Sequence, residues 1–204
     1  MRRRLLAAVL AAGCIVVPAA HADGDPASDY LLSQDTFLPF DANISKEQAE
    51  QLNTVVADAK KKGFAVKVAV IAKPFDLGAV PSLYGKPKTY ARFLGQELFF
   101  LYKGRLLIVM PTGYGASRGG KPLPSAQRVL DTMPARGEGG AALTAAAAQA
   151  VQRLAAQNGV RVEIPPVASG NSETSDRIMI AAIAGGLVLL LVCGFAVRRI
   201  LSRR

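Results

Sequence analysis

The chain has 204 residues, half of them hydrophobic, and a formal net charge of +10. Seven of the 25 basic residues flank the two apolar ends, and 18 face 15 acidic ones between positions 23 and 177, so the domain between is almost balanced and lacks the concentrated charge of a nucleic-acid binder. Both cysteines, Cys14 and Cys193, and the single histidine, His21, fall in or beside those apolar ends. The domain is thereby excluded from disulfides, Cys-His and Ser-His-Asp nucleophile systems, histidine zinc sites and imidazole acid/base catalysis.

In chain order, Arg2, Arg3 and Arg4 precede an apolar run from Leu5 to Val17, followed by Pro18 and Ala20-His21-Ala22. A basic start, a short apolar core and an A-x-A site predict a secretory signal peptide over 1–22. Leu10 to Cys14 leaves a lipoprotein alternative open, in which Cys14 becomes the acylated first residue. Residues 23–35 are acidic and turn-rich and predict a loosely ordered start to the mature chain. Thr36 to Phe40 predicts an additional edge strand.

Ser45 and Gln48 have capping-box spacing, Ile44 and Ala49 could form a hydrophobic staple, and Gly63 supplies a stop. Ala49, Leu52, Val56 and Ala59 share a face of the helix between. Lys60, Lys61 and Lys62 suit the negative end of its dipole. The run 64–72, FAVKVAVIA, predicts a buried parallel strand. A helix is predicted over 88–102 from Tyr90, Phe93, Leu94, Glu97, Leu98 and Leu101, followed by a strand over Arg105 to Met110. Strand, helix and strand at this spacing predict a βαβ unit.

Gly113-Tyr114-Gly115 reads as a turn opening a mobile stretch to Pro124. A short helix is predicted near 125–132 and a longer one from about Gly140 to Asn158, with Leu143, Ala147, Ala150, Val151 and Leu154 as its apolar face. Val160, Val162 and Ile164 alternate and predict a last strand, ended by Pro165 and Pro166. The expected fold is a compact α/β domain over 23–166 with a small, mostly parallel sheet of three or four strands flanked by helices.

Residues 167–177 predict a flexible linker, and 178–197, IMIAAIAGGLVLLLVCGFAV, an uncharged transmembrane helix. Eleven of those twenty are Ile, Leu, Val or Phe, together worth roughly −3 to −7 kcal/mol of insertion free energy. Arg198, Arg199, Arg203 and Arg204 follow and make 198–204 a cytoplasmic tail, which places the domain outside the cytoplasm on a single-pass plasma-membrane protein. Ala181 with Gly185, and Ala182 with Gly186, give small-xxx-small spacing for close helix approach or simply small residues in a membrane helix.

Four stretches carry a resemblance over about residues 35–158: Phe40 to Ser45, VKVAVIA, LLIVMPTGYG and MPARGEGGAALTAAA. Together they resemble the TPM domain, a family that includes thylakoid-lumen phosphatase-like and photosystem-repair-associated proteins and many exported bacterial proteins with a carboxy-terminal membrane helix. The likeness implies either an accessory module for an envelope or membrane complex, or a metal-assisted phosphatase. It transfers two acidic positions, Asp41 and Glu138, as metal candidates. Where family members commonly carry a polar group after the second strand, Pro111 and Thr112 stand here.

Ligand crevices of parallel α/β sheets lie beyond the carboxyl ends of the strands. That rule makes Lys73, Asp76, Thr112, Gly113, Tyr114 and Gly115 candidate ligand-binding residues, with Asp41 or Glu138 joining them. Their oxygen-rich inventory would suit a divalent cation. The expected role is non-enzymatic binding of a protein or envelope partner at the membrane, with phosphatase activity as the alternative.

Overall fold

A computed structural model describes residues 24–134 and 137–167. The signal segment, most of the linker, the apolar run 178–197 and the basic tail lie outside the described residues. Among the described residues no helix is long and apolar enough to cross a membrane.

The acidic start is a helix, contrary to expectation. α1 spans Pro26–Ser33, with Asp25 as N-cap accepting a hydrogen bond from Ala27 N at 3.1 Å and Pro26 in the first turn. Proline there costs no hydrogen bond, because the first helical N–H groups lack intrahelical partners. Only Ala27 and Leu31 are fully buried, one turn apart, too thin a stripe to show as a periodic pattern.

β1, Thr36–Phe37, lies parallel to β2, Val66–Val70. Between them α2 covers Lys46–Lys61 and carries the expected capping box, Ser45 Oγ accepting from Gln48 N and Gln48 Oε1 accepting from Ser45 N. Its buried face is Leu52, Val55, Val56 and Ala59. All five residues of β2 are buried, as expected for a strand covered on both faces.

α3, Pro87–Glu97, is shorter than the spacing predicts. After Leu98 the chain tightens into turns in which Phe99 N donates to Gln96 O and Leu101 N to Leu98 O. This swings Phe100 and Leu101 out, 91% and 77% exposed, although Tyr90, Leu94 and Leu98 are buried as anticipated. β3, Arg105–Met110, then runs parallel beside β2.

The Gly-Tyr-Gly segment is no loop. β4, Gly113–Arg118, returns antiparallel along the whole of β3, with only Pro111 and Thr112 between them. β5, Lys121–Pro122, pairs antiparallel beyond it. Gly115 is required by close approach: a Cβ there would lie 2.0 Å from Pro87 O at the start of α3. The mostly parallel sheet of three or four strands is therefore a mixed five-stranded sheet in the order β1-β2-β3-β4-β5.

α4, Pro124–Asp131, and α5, Gly140–Gln157, follow. One core packs α2, α4 and α5 on the sheet through Leu52, Val68, Leu107, Leu143 and Val151. On the opposite face Leu31, Phe37, Ile71, Tyr90 and Ile108 join α1 and α3. The predicted last strand does not form. Val160 N donates to Ala155 O at the end of α5, and beyond it the chain runs along helices whose backbone groups are already paired, so side chains hold it: Lys62 Nζ donates to Arg161 O, Gln152 Nε2 to Val162 O and Gln51 Nε2 to Pro165 O. The alternation survives as burial, with Val162 in the core and Val160 and Ile164 packed against it.

Candidate functional site

β1, β2 and β3 point their carboxyl ends the same way, and the loops that leave them build a cleft of about 390 Å³. Asp41, Asn43, Lys73, Tyr84 and Glu138 line it. Glycine geometry brings its two acidic residues together across nearly a hundred positions. Gly140 N donates to Ala42 O at 3.2 Å, and a Cβ on Gly140 would stand 2.4 Å from that oxygen. Asn43 takes a left-handed φ of 52° to turn the chain there, a conformation asparagine tolerates better than most residues. The entry to α2 is thereby sewn to the entry to α5, and Asp41 and Glu138 both line the cleft beside this seam.

Lys73 Nζ donates to Asp41 O at 3.0 Å and ties the turn after β2 to the same cleft. Tyr84 OH donates to Ala72 O at 2.8 Å, and desolvation, with the charges of Asp76 and Glu138, raises its phenol above the ordinary value. Tyr84 therefore serves the cleft as a neutral hydrogen-bonding group. It was missed in the sequence because it sits in an aperiodic loop between Pro81 and Gly85.

Asp76 is occupied elsewhere. Its Oδ2 accepts from Ala72 N and Lys73 N, both at 2.8 Å, and the residue is buried, so it fastens the turn leaving β2. Thr112, Gly113 and Tyr114 line a neighbouring cleft of about 370 Å³ with Lys86, Lys88 and Asp131. The two clefts meet at Pro111 and Thr112. In the second, Lys88 pairs with Asp131 at 3.0 Å, and Gln127 donates to Asp131 Oδ1 at 2.8 Å. The bonds from Gln127 and Lys88 hold that carboxylate below its usual range. Gln127 also accepts from Ala116 N and donates to Tyr114 O, so α4 is tied to the flank of β4. Gly115 lines neither cleft and serves packing alone. The candidate set thus divides: Asp41 and Glu138 share one cleft with Lys73, three residues face the next, and Asp76 and Gly115 are structural.

Asp41 and Glu138 are a thin donor set for a metal. A hard cation such as Ca²⁺ takes six to eight oxygens. Among the described residues no three His, Cys, Asp or Glu side chains form a group that could hold a metal ion. An ammonium at the rim further opposes a bound cation, so the residues present do not make a dedicated metal cage. The arrangement is better suited to binding a polar group that both accepts and donates.

A second polar pair, also unforeseen, lies outside the clefts. Tyr90 OH donates to the Asp25 carboxylate, 2.7 Å from both oxygens, and both residues are buried. Burial pushes the Asp25 pKa up to about 6 against the lowering effects of Tyr90 and Ala27 N, with Glu97 and Asp29 adding to the rise. This bond pins the entry of α1 to the middle of α3.

Compared with protein-family models, curated proteins and solved structures, the chain matches none.

Proposed function

We propose that this chain is a membrane-tethered, extracytoplasmic TPM-like module that binds a protein or envelope partner through the cleft of Asp41, Lys73, Tyr84 and Glu138. The observation carrying this reading is the cleft: opposite charges and a neutral phenol converge there, while the domain contains no histidine or cysteine to drive catalysis. The four stretches that resemble the TPM family support it by where they fall, before α2, in β2, across the β3–β4 hairpin and into α5.

The tether is read from the sequence. Residues 161–165 climb α2 from Lys62 to Gln51, toward the end that bears the cleft. The expected linker, 167–177, is eleven residues long, and a flexible chain of that length has an end-to-end distance of about 18 Å, which would keep the cleft near the bilayer.

A photo-cross-linker at exposed Asn43 in the full-length membrane-inserted chain tests the function. A discrete adduct, weakened by Lys73→Ala and absent with the cross-linker at exposed Glu50, is the expected result. Identical adducts from both positions would defeat the cleft assignment. Digestion of the domain by protease added outside sealed right-side-out vesicles tests orientation; protection would reverse it.

The presence of Asp41 and Glu138 in one cleft is the single observation bearing on the alternative, metal-assisted phosphatase activity. Phosphomonoester hydrolysis by the full chain with Mg²⁺, Ca²⁺ or Mn²⁺ that disappears in both Asp41→Asn and Glu138→Gln would establish it. Absence of turnover, or activity surviving both changes, would dispose of it.

A further inference from the structure

At the opposite end of the sheet, Arg105 begins β3 and Arg118 ends β4, and the antiparallel register pairs them directly. Directly opposed residues share one face, with their Cβ atoms about 5 Å apart, and like charges so placed are destabilising. No carboxylate lies within ion-pair distance of either arginine among the described residues. Arg105 lies 4.7 Å above the Phe64 ring, its guanidinium reaching only the Asn158 amide oxygen at 3.4 Å.

Both arginines line one cavity of about 370 Å³ between the sheet and helices α4 and α5. Its lining is mixed: Phe64, Val66, Ala116, Leu123, Ala126 and Leu154 supply an apolar part beside the two guanidinium groups, and polar surface slightly exceeds apolar. Ser125, Gln157 and Asn158 stand exposed at its rim, and no acidic residue lines it. The volume is in the range of small-molecule pockets, and here two cationic side chains converge beside apolar ones.

We infer that this cavity is a binding site for an anionic amphiphile, a carboxylate or phosphate carried on a short aliphatic chain. The anion accepts hydrogen bonds from the two guanidinium groups, which offer planar, permanently charged donors. The chain lies against Phe64, Ala126 and Leu154. Anion binding relieves the Arg105–Arg118 repulsion, so the unliganded site carries an electrostatic cost that the ligand removes. The inference is independent of the cleft and of the membrane tether.

The test is titration calorimetry on the full-length chain, in phosphatidylcholine nanodiscs with empty discs as blank, or free in buffer if it stays soluble. Octanoate and octyl phosphate distinguish carboxylate from phosphate; octanol and inorganic phosphate supply the chain or the anion alone. Saturable binding of at least one octyl anion, at least tenfold tighter than either half-ligand, is expected. Arg118→Gln and Arg105→Gln should each weaken it about tenfold or more. Ala126→Leu should block it by filling the cavity, whereas Lys103→Gln, outside the cavity, should leave it unchanged. Thermal unfolding checks each variant, and Arg118 is exposed enough that its replacement keeps the fold. The inference is overturned if neither anion binds, if octanol binds as tightly, or if folded Arg118→Gln and Ala126→Leu proteins bind like the parent.

Discussion

The two ends of the sheet are built on opposite principles. At the carboxyl ends of β1, β2 and β3, loops from distant parts of the chain are sewn together by backbone contacts, and side chains of both charges line the resulting cleft. At the other end, a single hairpin register sets two arginines opposite each other at a cavity of mixed polar and apolar lining. Close there too is the exposed turn Phe99-Phe100-Leu101, with Lys103 Nζ lying 4.7 Å from the Phe99 ring centroid. One end owes its character to long-range closure, the other to local strand pairing. Changes to backbone packing should therefore damage the first, and changes of charge should tune the second.

The effect expected to reach furthest is at the sewn end, where stability and the candidate site should suffer together. Gly140→Val puts side-chain atoms against Ala42 O and should cost about 2–3 kcal/mol in denaturant unfolding, while separating Asp41 from Glu138. A variant of parental stability would show that the seam is not closed by this contact. The aromatic turn sharpens the contrast at the other end. Leu98→Ala, at a fully buried position, should cost about 2–4 kcal/mol, whereas Phe100→Ser, two residues on and 91% exposed, should stay within about 0.5 kcal/mol. Equal losses would mean that the turn packs on something the isolated chain supplies.

The Asp25–Tyr90 bond lies between these extremes. Tyr90→Phe leaves a buried carboxylate short of its donor and should cost about 1–2 kcal/mol. Asp25 also predicts a pH dependence. Its folded pKa, about 6, exceeds the ordinary aspartate value of 3.8, so folding takes up a proton between those values. Its contribution is most favourable below about pH 4, declines as pH rises to about 6 and is flat beyond. Urea midpoints of the parent should therefore gain on those of Asp25→Asn between pH 7 and pH 5. A constant difference across that window would remove the assignment. The smallest effect belongs to the exposed Lys88–Asp131 pair, where Lys88→Ala should change stability by less than about 1 kcal/mol and less still in high salt.

Legibility followed the range of the interactions. The α2 capping box, its apolar face, the full burial of β2 and the extent of α5 all rest on residues within a few positions of each other, and each was readable. The Gly-Tyr-Gly strand was misread because glycine signals a turn locally, whereas Gly115 is there to admit Pro87 from α3. Residues 160–164 alternate like a strand, but helices rather than a strand edge lie beside them. α1 was hidden because its two fully buried residues acquire meaning only against β1, the turn after β2 and α3. In the candidate site, Asp41, Glu138 and Lys73 line one cleft beside the strand ends, where the sequence placed Lys73 and allowed either acidic residue to join it. The role of Asp76 as a turn fastener and the contribution of Tyr84 could not be read from spacing.

By itself the sequence determined the α/β class, the cysteine- and histidine-free chemistry of the domain and the main helices, because composition, caps and periodicity are properties of near neighbours. Only the tertiary structure decided the mixed order of the sheet, the meeting of Asp41 with Glu138 and the opposition of Arg105 to Arg118. Those depend on which strand edge is free and how closely two backbones approach, and such quantities exist only once the chain has closed on itself.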